Sequence, residues 1–225
     1  MRRQIGILGG AFNPVHIGHL LLAEQAADYL GLDEVWMMPT GISPEKAGSS
    51  PDRLSGEERL YLTELAVRDN DRLRCSDQEV RRDGYTYTYE TMEELAEKFP
   101  EAKFYFLLGA DCLFSLEKWR HPERILKSCS LAAAVRNDVP WEAMEEKRDE
   151  LLAKFGGEIC LLPSAQIPVS STEIRERIRT GRSIRYLTPE PVWAYIMERG
   201  LYRESGKVFE KAEKENQKGT GRQKV

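Results

Sequence analysis

The amino-acid sequence predicts an α/β fold of the Rossmann-like, doubly wound class. We expect a mainly parallel sheet with helices on both faces and a small helical part at the C-terminal end. Short apolar runs alternate with segments of helical spacing, as in chains built from strand–helix–strand units. The run "FYFLL" (104–108) has no polar alternation, which is typical of a strand covered on both faces. The first apolar run, "QIGILGG" (4–10), leads into a glycine turn.

The individual elements follow from length, periodicity and turn residues. Short apolar segments predict strands at 4–10, 34–40, 72–77, 102–111, 129–135 and 158–163. Apolar residues at helical spacing predict helices at 16–31, 56–69, 88–99, 140–155, 170–181 and 189–200. Gly31 stands just past the end of the first helix, where a left-handed residue is common. Residues 41–56 are rich in Gly, Pro and Ser, so a long loop is expected there, a feature that is often functional.

Composition narrows the classes of function. We expect residues 1–203 to form one domain and the Lys/Glu-rich residues 204–225 to be a polar, disordered tail. The net charge of −4 argues against a general nucleic-acid binder. No apolar run has the length of a membrane span, and no signal peptide is recognised. The four cysteines are scattered without a CxxC pair, which favours a reduced, cytoplasmic protein without a zinc site.

The segment "GGAFNPVHIGHL" (9–20) carries the first candidate site, at the carboxyl end of the first strand, where open parallel sheets bind ligands. It is not GxGxxG, so the fingerprint of a dinucleotide-dependent oxidoreductase is missing. If the helix begins near His16, then His16 and His19 share one face at its N-terminus, where free N–H groups favour an anion. One histidine could instead cap the helix while the other packs. Their spacing after a glycine turn favours phosphate binding.

The segment "VSSTEIRERI" (169–178) carries the second. Ser170 and Glu173 have the spacing of a capping box, which explains Ser170 without any ligand. Capping does not explain the hydroxyl groups of Ser171 and Thr172 with Arg175 one turn later. Hydroxyls, free N–H groups and a guanidinium at a helix start suit a polyphosphate, so we expect phosphate binding here, with or without capping.

These motifs resemble those of a known superfamily. GGxFxPxHxGH is similar to the signature of nucleotidyltransferases that join a nucleotide to a phosphate and release pyrophosphate, and the second segment is similar to their (S/T)xxR motif. Further segments resemble the bacterial nicotinate mononucleotide adenylyltransferases, and the matches run from residue 4 to about 203: "GYTYTYETM" (84–92), "GADCLFSLEKWR" (109–120) and "LTPEPVWAYIMERGLYR" (187–203). The loop at 43–46 departs from the family, since it has Glu45 where the family often has His. Asn137 and Asp138 likewise replace a usual Pro-Gly.

The resemblance implies a set of roles. His16 and His19 would be catalytic and would donate hydrogen bonds to the α-phosphate of ATP. Asp111 would contact ribose hydroxyls, Trp119 would stack on the pyridine ring, and backbone N–H groups near Thr86 would receive the nicotinate carboxylate. The implied ATP-binding residues are Gly9, Gly10, Phe12, His16, His19, Gly109, Asp111, Ser171, Thr172 and Arg175. The implied mononucleotide-binding residues are Thr40, Lys46, Thr86, Tyr87, Thr88, Trp119 and Arg136.

Simpler structural roles remain open for several of these residues. Trp119 could be an ordinary core residue, and Asp111 could cap a short helix. Tyr85, Tyr87 and Tyr89 alternate, so they could form one face of a strand. Arg136 follows a predicted strand and could be a surface residue.

The implied reaction is adenylyl transfer from ATP to nicotinate mononucleotide, giving deamido-NAD and pyrophosphate. The attacking phosphate is already an anion, so positioning and charge stabilisation would supply the catalysis. Mg²⁺ would be carried mainly by the ATP phosphates, with no metal site made of protein ligands. The alternatives are another nucleotidyltransferase with HxGH, acting on nicotinamide mononucleotide or phosphopantetheine, and a non-catalytic nucleotide sensor. The expected partners are small molecules, not nucleic acid or a membrane, and a homo-oligomer stays open.

Overall fold

Six parallel strands form the sheet in a computed structural model that describes residues 2–42, 54–135, 139–164 and 167–203. The strands are β1 (Arg3–Gly10), β2 (Glu34–Pro39), β3 (Leu73–Cys75), β4 (Ala102–Gly109), β5 (Ser130–Val135) and β6 (Ile159–Pro163). Their order is β3-β2-β1-β4-β5-β6, and every pair of neighbours is parallel. This is the doubly wound order, in which the direction of winding reverses between β1 and β4. The predicted fold class is confirmed.

Eight α-helices connect and cover the strands within the described residues. They are α1 (Ile17–Leu30), α2 (Gly56–Val67), α3 (Thr88–Lys98), α4 (Ala110–Ser115), α5 (Pro122–Ser128), α6 (Trp141–Phe155), α7 (Ser171–Arg179) and α8 (Glu190–Arg199). All six predicted helices are present, and Gly31 follows α1 in the left-handed conformation, as its position predicts. Ser170 caps α7 by accepting a hydrogen bond from the N–H of Glu173 at 3.1 Å.

The sheet separates two hydrophobic cores, which explains the unbroken apolar run of β4. Phe104 and Phe106 belong to the core under α3, α4, α5 and α6, whereas Tyr105 and Leu107 belong to the core under α1, α2, α7 and α8. Because side chains alternate between the faces of a strand, a central strand must be apolar at every position. The C-terminal helices α7 and α8 thus complete one of the two faces.

Between residues 102 and 128 the structure has a shorter strand and more helix than the sequence predicted. The strand expected at 102–111 ends at Gly109, and helix α4 begins at Ala110. Two short helices, α4 and α5, and a 3₁₀ turn at Leu116–Lys118 fill a stretch for which the sequence predicted no helix. Tyr87 and Tyr89 are not on a strand, since Tyr87 caps α3 and Tyr89 lies in its first turn.

Two further expectations concern membrane spans and the segments at 41–56, 136–138 and 204–225. No helix of the described residues is long and apolar enough to cross a membrane. Several residues of the sequence analysis lie outside the described residues: the tail at 204–225, Glu45 and Lys46 of the loop at 41–56, and Arg136, Asn137 and Asp138.

Candidate active site

A cavity of about 430 Å³ opens at the carboxyl ends of β1 and β4. This is the point where the winding of the sheet reverses, and ligands of doubly wound sheets bind there. Six of the predicted site residues line it: Gly9, His16, His19, Gly109, Trp119 and Ser171. The cavity therefore brings together side chains from the first motif, from the turn after β4 and from the start of α7.

His16 and His19 form a stacked pair at the start of α1. His16 is the N-cap residue and His19 is the third residue of the helix, so both lie on its first turn. Their ring centroids are 3.6 Å apart and the rings are inclined by only 22°. The backbone N–H of His16 donates to Nδ1 of His19 at 3.2 Å. A neutral His19 must then carry its proton on Nε2, which leaves that atom as a hydrogen-bond donor.

The surroundings of both imidazoles favour their neutral form. Burial lowers the pKa of His16 to about 4. Burial also holds the pKa of His19 well below its usual range, and the neighbouring His16 lowers it further. A neutral ring still donates one hydrogen bond, so the pair can contact phosphate oxygens without first taking up protons.

The loop before α1 shapes the pair. Phe12, predicted to bind ATP, is buried and packs edge-on against His19 with ring centroids 4.9 Å apart. Gly10 makes room for it, because a Cβ there would lie 2.7 Å from the Phe12 ring. A Cβ at Gly18 would lie 3.2 Å from the ring of His16. Phe12, Gly10 and Gly18 thus set where the two imidazoles lie.

Helix α7 is tied to that loop by two of its predicted phosphate-binding residues. The hydroxyl of Ser171 donates to the carbonyl of Pro14 at 2.8 Å. Nη1 of Arg175 donates to the carbonyl of Asn13 at 2.8 Å, and Nη2 donates to the hydroxyl of Thr172 at 3.3 Å. These bonds place the start of α7 beside the start of α1, so the free N–H groups of two helices come close together.

Trp119 and Asp111 follow β4. Trp119 is half-buried: it packs edge-on against Phe106 with centroids 6.1 Å apart, and it also lines the cavity. It therefore packs against the core, as one of its two expected roles requires, and it also faces the cavity, where the other role, stacking on the pyridine ring, stays a prediction. Gly109 is the N-cap of α4 and Asp111 lies exposed in the first turn of that short helix.

Apart from Trp119, the described residues predicted to bind the mononucleotide lie at the carboxyl end of β2 and at the start of α3. The N–H of Thr40 donates to the carbonyl of Gly10 at 2.8 Å, which extends the β1–β2 pairing. The N–H of Thr86 donates to the carbonyl of Ile42 at 3.0 Å and is thereby occupied. Tyr87 is the N-cap of α3 and Thr88 begins the helix, so the N–H groups of its first turn have no acceptor within the helix.

Sequence reasoning missed Arg59, a buried arginine of α2. Its side chain is 2% exposed. Nη1 donates to the carbonyl of Ala11 at 2.8 Å and Nη2 to the carbonyl of Thr40 at 2.7 Å. It thus holds the ends of β1 and β2 at a fixed separation. Within the helical pattern of α2 it resembles a surface residue, so nothing in the sequence distinguished it.

Comparison with known proteins identifies the family. Residues 7–177 match the sequence model of the family described as Cytidylyltransferase-like. A Lachnoclostridium phytofermentans protein named "Probable nicotinate-nucleotide adenylyltransferase" is 42% identical over 200 residues, covering 89% of this chain and 99% of the relative. A protein of the same name from Exiguobacterium sibiricum is 41% identical, covering 88% and 98%. This chain belongs to the nicotinate-nucleotide adenylyltransferase family.

Solved structures agree with this adenylyltransferase in fold. The Plasmodium falciparum nicotinic acid mononucleotide adenylyltransferase complexed with NaAD superposes with a TM-score of 0.68 at 19% identity. The same enzyme complexed with APC gives a TM-score of 0.66 at 18% identity. Both comparisons cover 89% of this chain and 97% of the other. At such low identity the likeness concerns the fold alone, which is the fold predicted from the sequence.

Proposed function

We propose that this member of the adenylyltransferase family transfers the adenylyl group of ATP to nicotinate mononucleotide, giving deamido-NAD and pyrophosphate. The observation that carries the proposal is the stacked pair of histidines, with ring centroids 3.6 Å apart, on the cavity at the carboxyl ends of β1 and β4. Family membership supports the choice of acceptor. The long matches at about 40% identity cover most of this chain and of each relative.

In the proposed reaction, an oxygen of the acceptor's 5′-phosphate attacks the α-phosphorus of ATP. The bond from that phosphorus to the oxygen bridging to the β-phosphate breaks, and pyrophosphate leaves. The nucleophile is already an anion, so no side chain has to remove a proton from it. The protein must align the two phosphates and stabilise the negative charge that develops on the α-phosphate oxygens.

His16 and His19 are proposed to stabilise that charge. Nε2 of His19 is the free donor, since Nδ1 already accepts from the backbone of His16. Burial lowers the pKa of both histidines, and a neutral imidazole still donates one hydrogen bond to a phosphate oxygen. The N-terminal end of α1 adds its own partial positive charge on the same side.

The remaining residues divide into two groups in this proposal. Ser171, Thr172 and Arg175 hold the β- and γ-phosphates at the start of α7, with Gly9, Gly10, Gly109 and Asp111 around the rest of ATP. Trp119 stacks on the pyridine ring, and N–H groups at the start of α3 receive its carboxylate, which is the charge that a helix N-terminus favours. Lys46 and Arg136 are proposed for the acceptor's phosphate from the family resemblance.

Mg²⁺ is proposed to enter as part of the substrate, carried by the ATP phosphates. Among the described residues, no group of three or more His, Cys, Asp or Glu side chains comes together. Ser171 and Thr172 at the start of α7 carry hydroxyl groups, which suit contacts to phosphate. Magnesium ions commonly retain several waters and bind substrate phosphates.

The test is pyrophosphate release from ATP with a panel of acceptors. We expect rapid release with nicotinate mononucleotide and slower release with nicotinamide mononucleotide, since the amide lacks the charge that the start of α3 favours. Phosphopantetheine is expected to be inactive. Equal or faster use of nicotinamide mononucleotide would contradict the proposed acceptor. Binding of ATP without release of pyrophosphate for any acceptor would instead indicate a nucleotide sensor.

A further inference from the structure

Glu79 is a buried carboxylate that the proposed mechanism does not use. It lies between β3 and α3 and is 8% exposed. The hydroxyl of Thr91 donates to its Oε1 at 2.9 Å. The hydroxyl of Thr86 and the backbone N–H of Gly41 also donate to the carboxylate, and Arg82 supplies positive charge nearby. Burial raises the pKa of Glu79, and these contacts oppose that shift.

The three donors come from three separate parts of the fold. Gly41 follows the end of β2, Thr86 belongs to the loop before α3, and Thr91 lies within α3. A buried carboxylate that accepts hydrogen bonds from all three holds them at fixed distances, because leaving any of the donors unpaired would cost free energy. Arg82 extends the network, since its Nη1 donates to the hydroxyl of Thr91 at 3.0 Å.

The end of β2 and the loop before α3 are closely packed at Gly41, which leaves no room for a side chain there. A Cβ at Gly41 would lie 2.3 Å from the carbonyl oxygen of Glu79 and 2.7 Å from Cγ2 of Thr86. The next residue, Ile42, accepts the N–H of Thr86 at 3.0 Å. The end of β2 and the loop before α3 are therefore joined both by backbone contact and by the side chain of Glu79.

This junction lies between the two halves of the proposed mononucleotide site. Thr40 precedes Gly41 directly, and Tyr87 and Thr88 follow Thr86 directly. We infer that Glu79 is a positioning residue for the mononucleotide: it sets the separation between the end of β2 and the start of α3, across which that substrate binds. The inference rests on the proposed function, and it adds a residue outside the binding motifs.

A carboxylate suits this position better than its amide. Both oxygens of a carboxylate can accept hydrogen bonds, whereas the NH₂ group of a glutamine cannot accept from any of the three donors. Glu79→Gln should therefore loosen one of the three attachments with almost no change in volume. A matched control exists in Glu34, which is 3% exposed at the opposite end of β2, where it pairs with Arg3 and Arg74.

The experiment compares steady-state constants for Glu79→Gln and Glu34→Gln. We expect Glu79→Gln to raise the KM for nicotinate mononucleotide about tenfold, the equivalent of one lost hydrogen bond to a charged group. Its KM for ATP should stay within about twofold. Glu34→Gln should lower the melting temperature and leave both KM values within about twofold. An unchanged KM for the mononucleotide in Glu79→Gln, or equal rises for both substrates, would overturn the assignment.

A second pair of variants tests the same network without altering Glu79. Thr91→Val removes the donating hydroxyl at nearly constant volume, and Thr91→Ser retains it. We expect Thr91→Val to raise the KM for the mononucleotide and Thr91→Ser to keep the wild-type KM. Equal KM values for the two variants would overturn the inference. If the wild-type chain uses another acceptor, the comparison is made with that acceptor, so failure of the proposed substrate and failure of this positioning role give different results.

Discussion

At the scale of single residues, His16 and His19 are held in place both by each other and by the buried Phe12. The backbone N–H of His16 determines which nitrogen of His19 carries the proton, and the buried Phe12 holds the His19 ring edge-on. A donor that is already oriented before substrate binds needs no reorganisation in the transition state. We therefore propose that the pair acts as a preformed site for the charge on the α-phosphate.

Replacing His19 tests that role. His19→Ala should lower kcat by about 10²–10³, the usual effect of removing one preorganised donor to a developing charge. The affinity for ATP should change little, because the residues proposed to hold the β- and γ-phosphates, Ser171, Thr172 and Arg175, are unchanged. Turnover at saturating substrates and ATP affinity by calorimetry are the measurements. Normal turnover with lost affinity would make His19 a residue for ground-state binding only.

The site residues that could be predicted are those with a local signal. Three-residue spacing predicted that His16 and His19 share a face, and the sequence S-x-x-E predicted the cap at Ser170. Glu173 does not complete a reciprocal box by pairing with Ser170, since its carboxylate forms an ion pair with Arg177 at 3.0 Å. Arg59 and Glu79 had no such signal, because their partners are distant in the chain and meet them only after folding.

At the scale of elements, the C-terminal part clamps the loop that carries His16. The N–H of Ile17 donates to the carbonyl of Leu187 at 3.1 Å, and the hydroxyl of Tyr202 donates to Oδ1 of Asn13 at 2.9 Å. Ser171 and Arg175 hold the carbonyls of Pro14 and Asn13. The end of the chain thus supports the residues at its beginning, a contact between positions 189 residues apart.

Tyr202 offers a direct test of the clamp. Tyr202→Phe removes one buried hydrogen bond, so the free energy of unfolding should fall by about 1 kcal/mol and the melting temperature by about 2–4 °C.

Deleting 205–225 should leave the melting temperature and activity nearly unchanged, because that segment has little apolar surface to bury. Deleting 201–225 should lower both the melting temperature and the activity, because it also removes Tyr202. A thermal melt of the three variants decides; a large loss on deleting 205–225 would mean that the tail docks on the domain.

The elements that the sequence did not predict are the short ones. Helices α4 and α5 have six and seven residues, which is fewer than two full turns. A segment of that length shows too little periodicity to separate a helix from a strand or a loop. Tertiary packing determines their structure, since Leu113, Leu116 and Ile125 are completely buried. The longer helices carried their own signal and were predicted correctly.

At the scale of the whole molecule, the winding order determines where chemistry occurs. The direction of winding reverses between β1 and β4, so the helices that follow these two strands lie on opposite faces of the sheet. A cleft opens between the ends of the two strands. The alternation of strands and helices was enough to predict that edge as the ligand site. The motifs on β1, β4 and α7 then predicted a nucleotide phosphate as the ligand.

The central claim is direct, in-line transfer of the adenylyl group from ATP to nicotinate mononucleotide, without a covalent intermediate on the protein. The measurement that tests it most directly is the configuration at the α-phosphorus of the dinucleotide formed from one diastereomer of an ATP analogue with sulfur on that phosphorus, read by ³¹P NMR. A single in-line displacement predicts inversion of configuration. Retention would require two displacements through a nucleophile of the protein, and it would contradict the account.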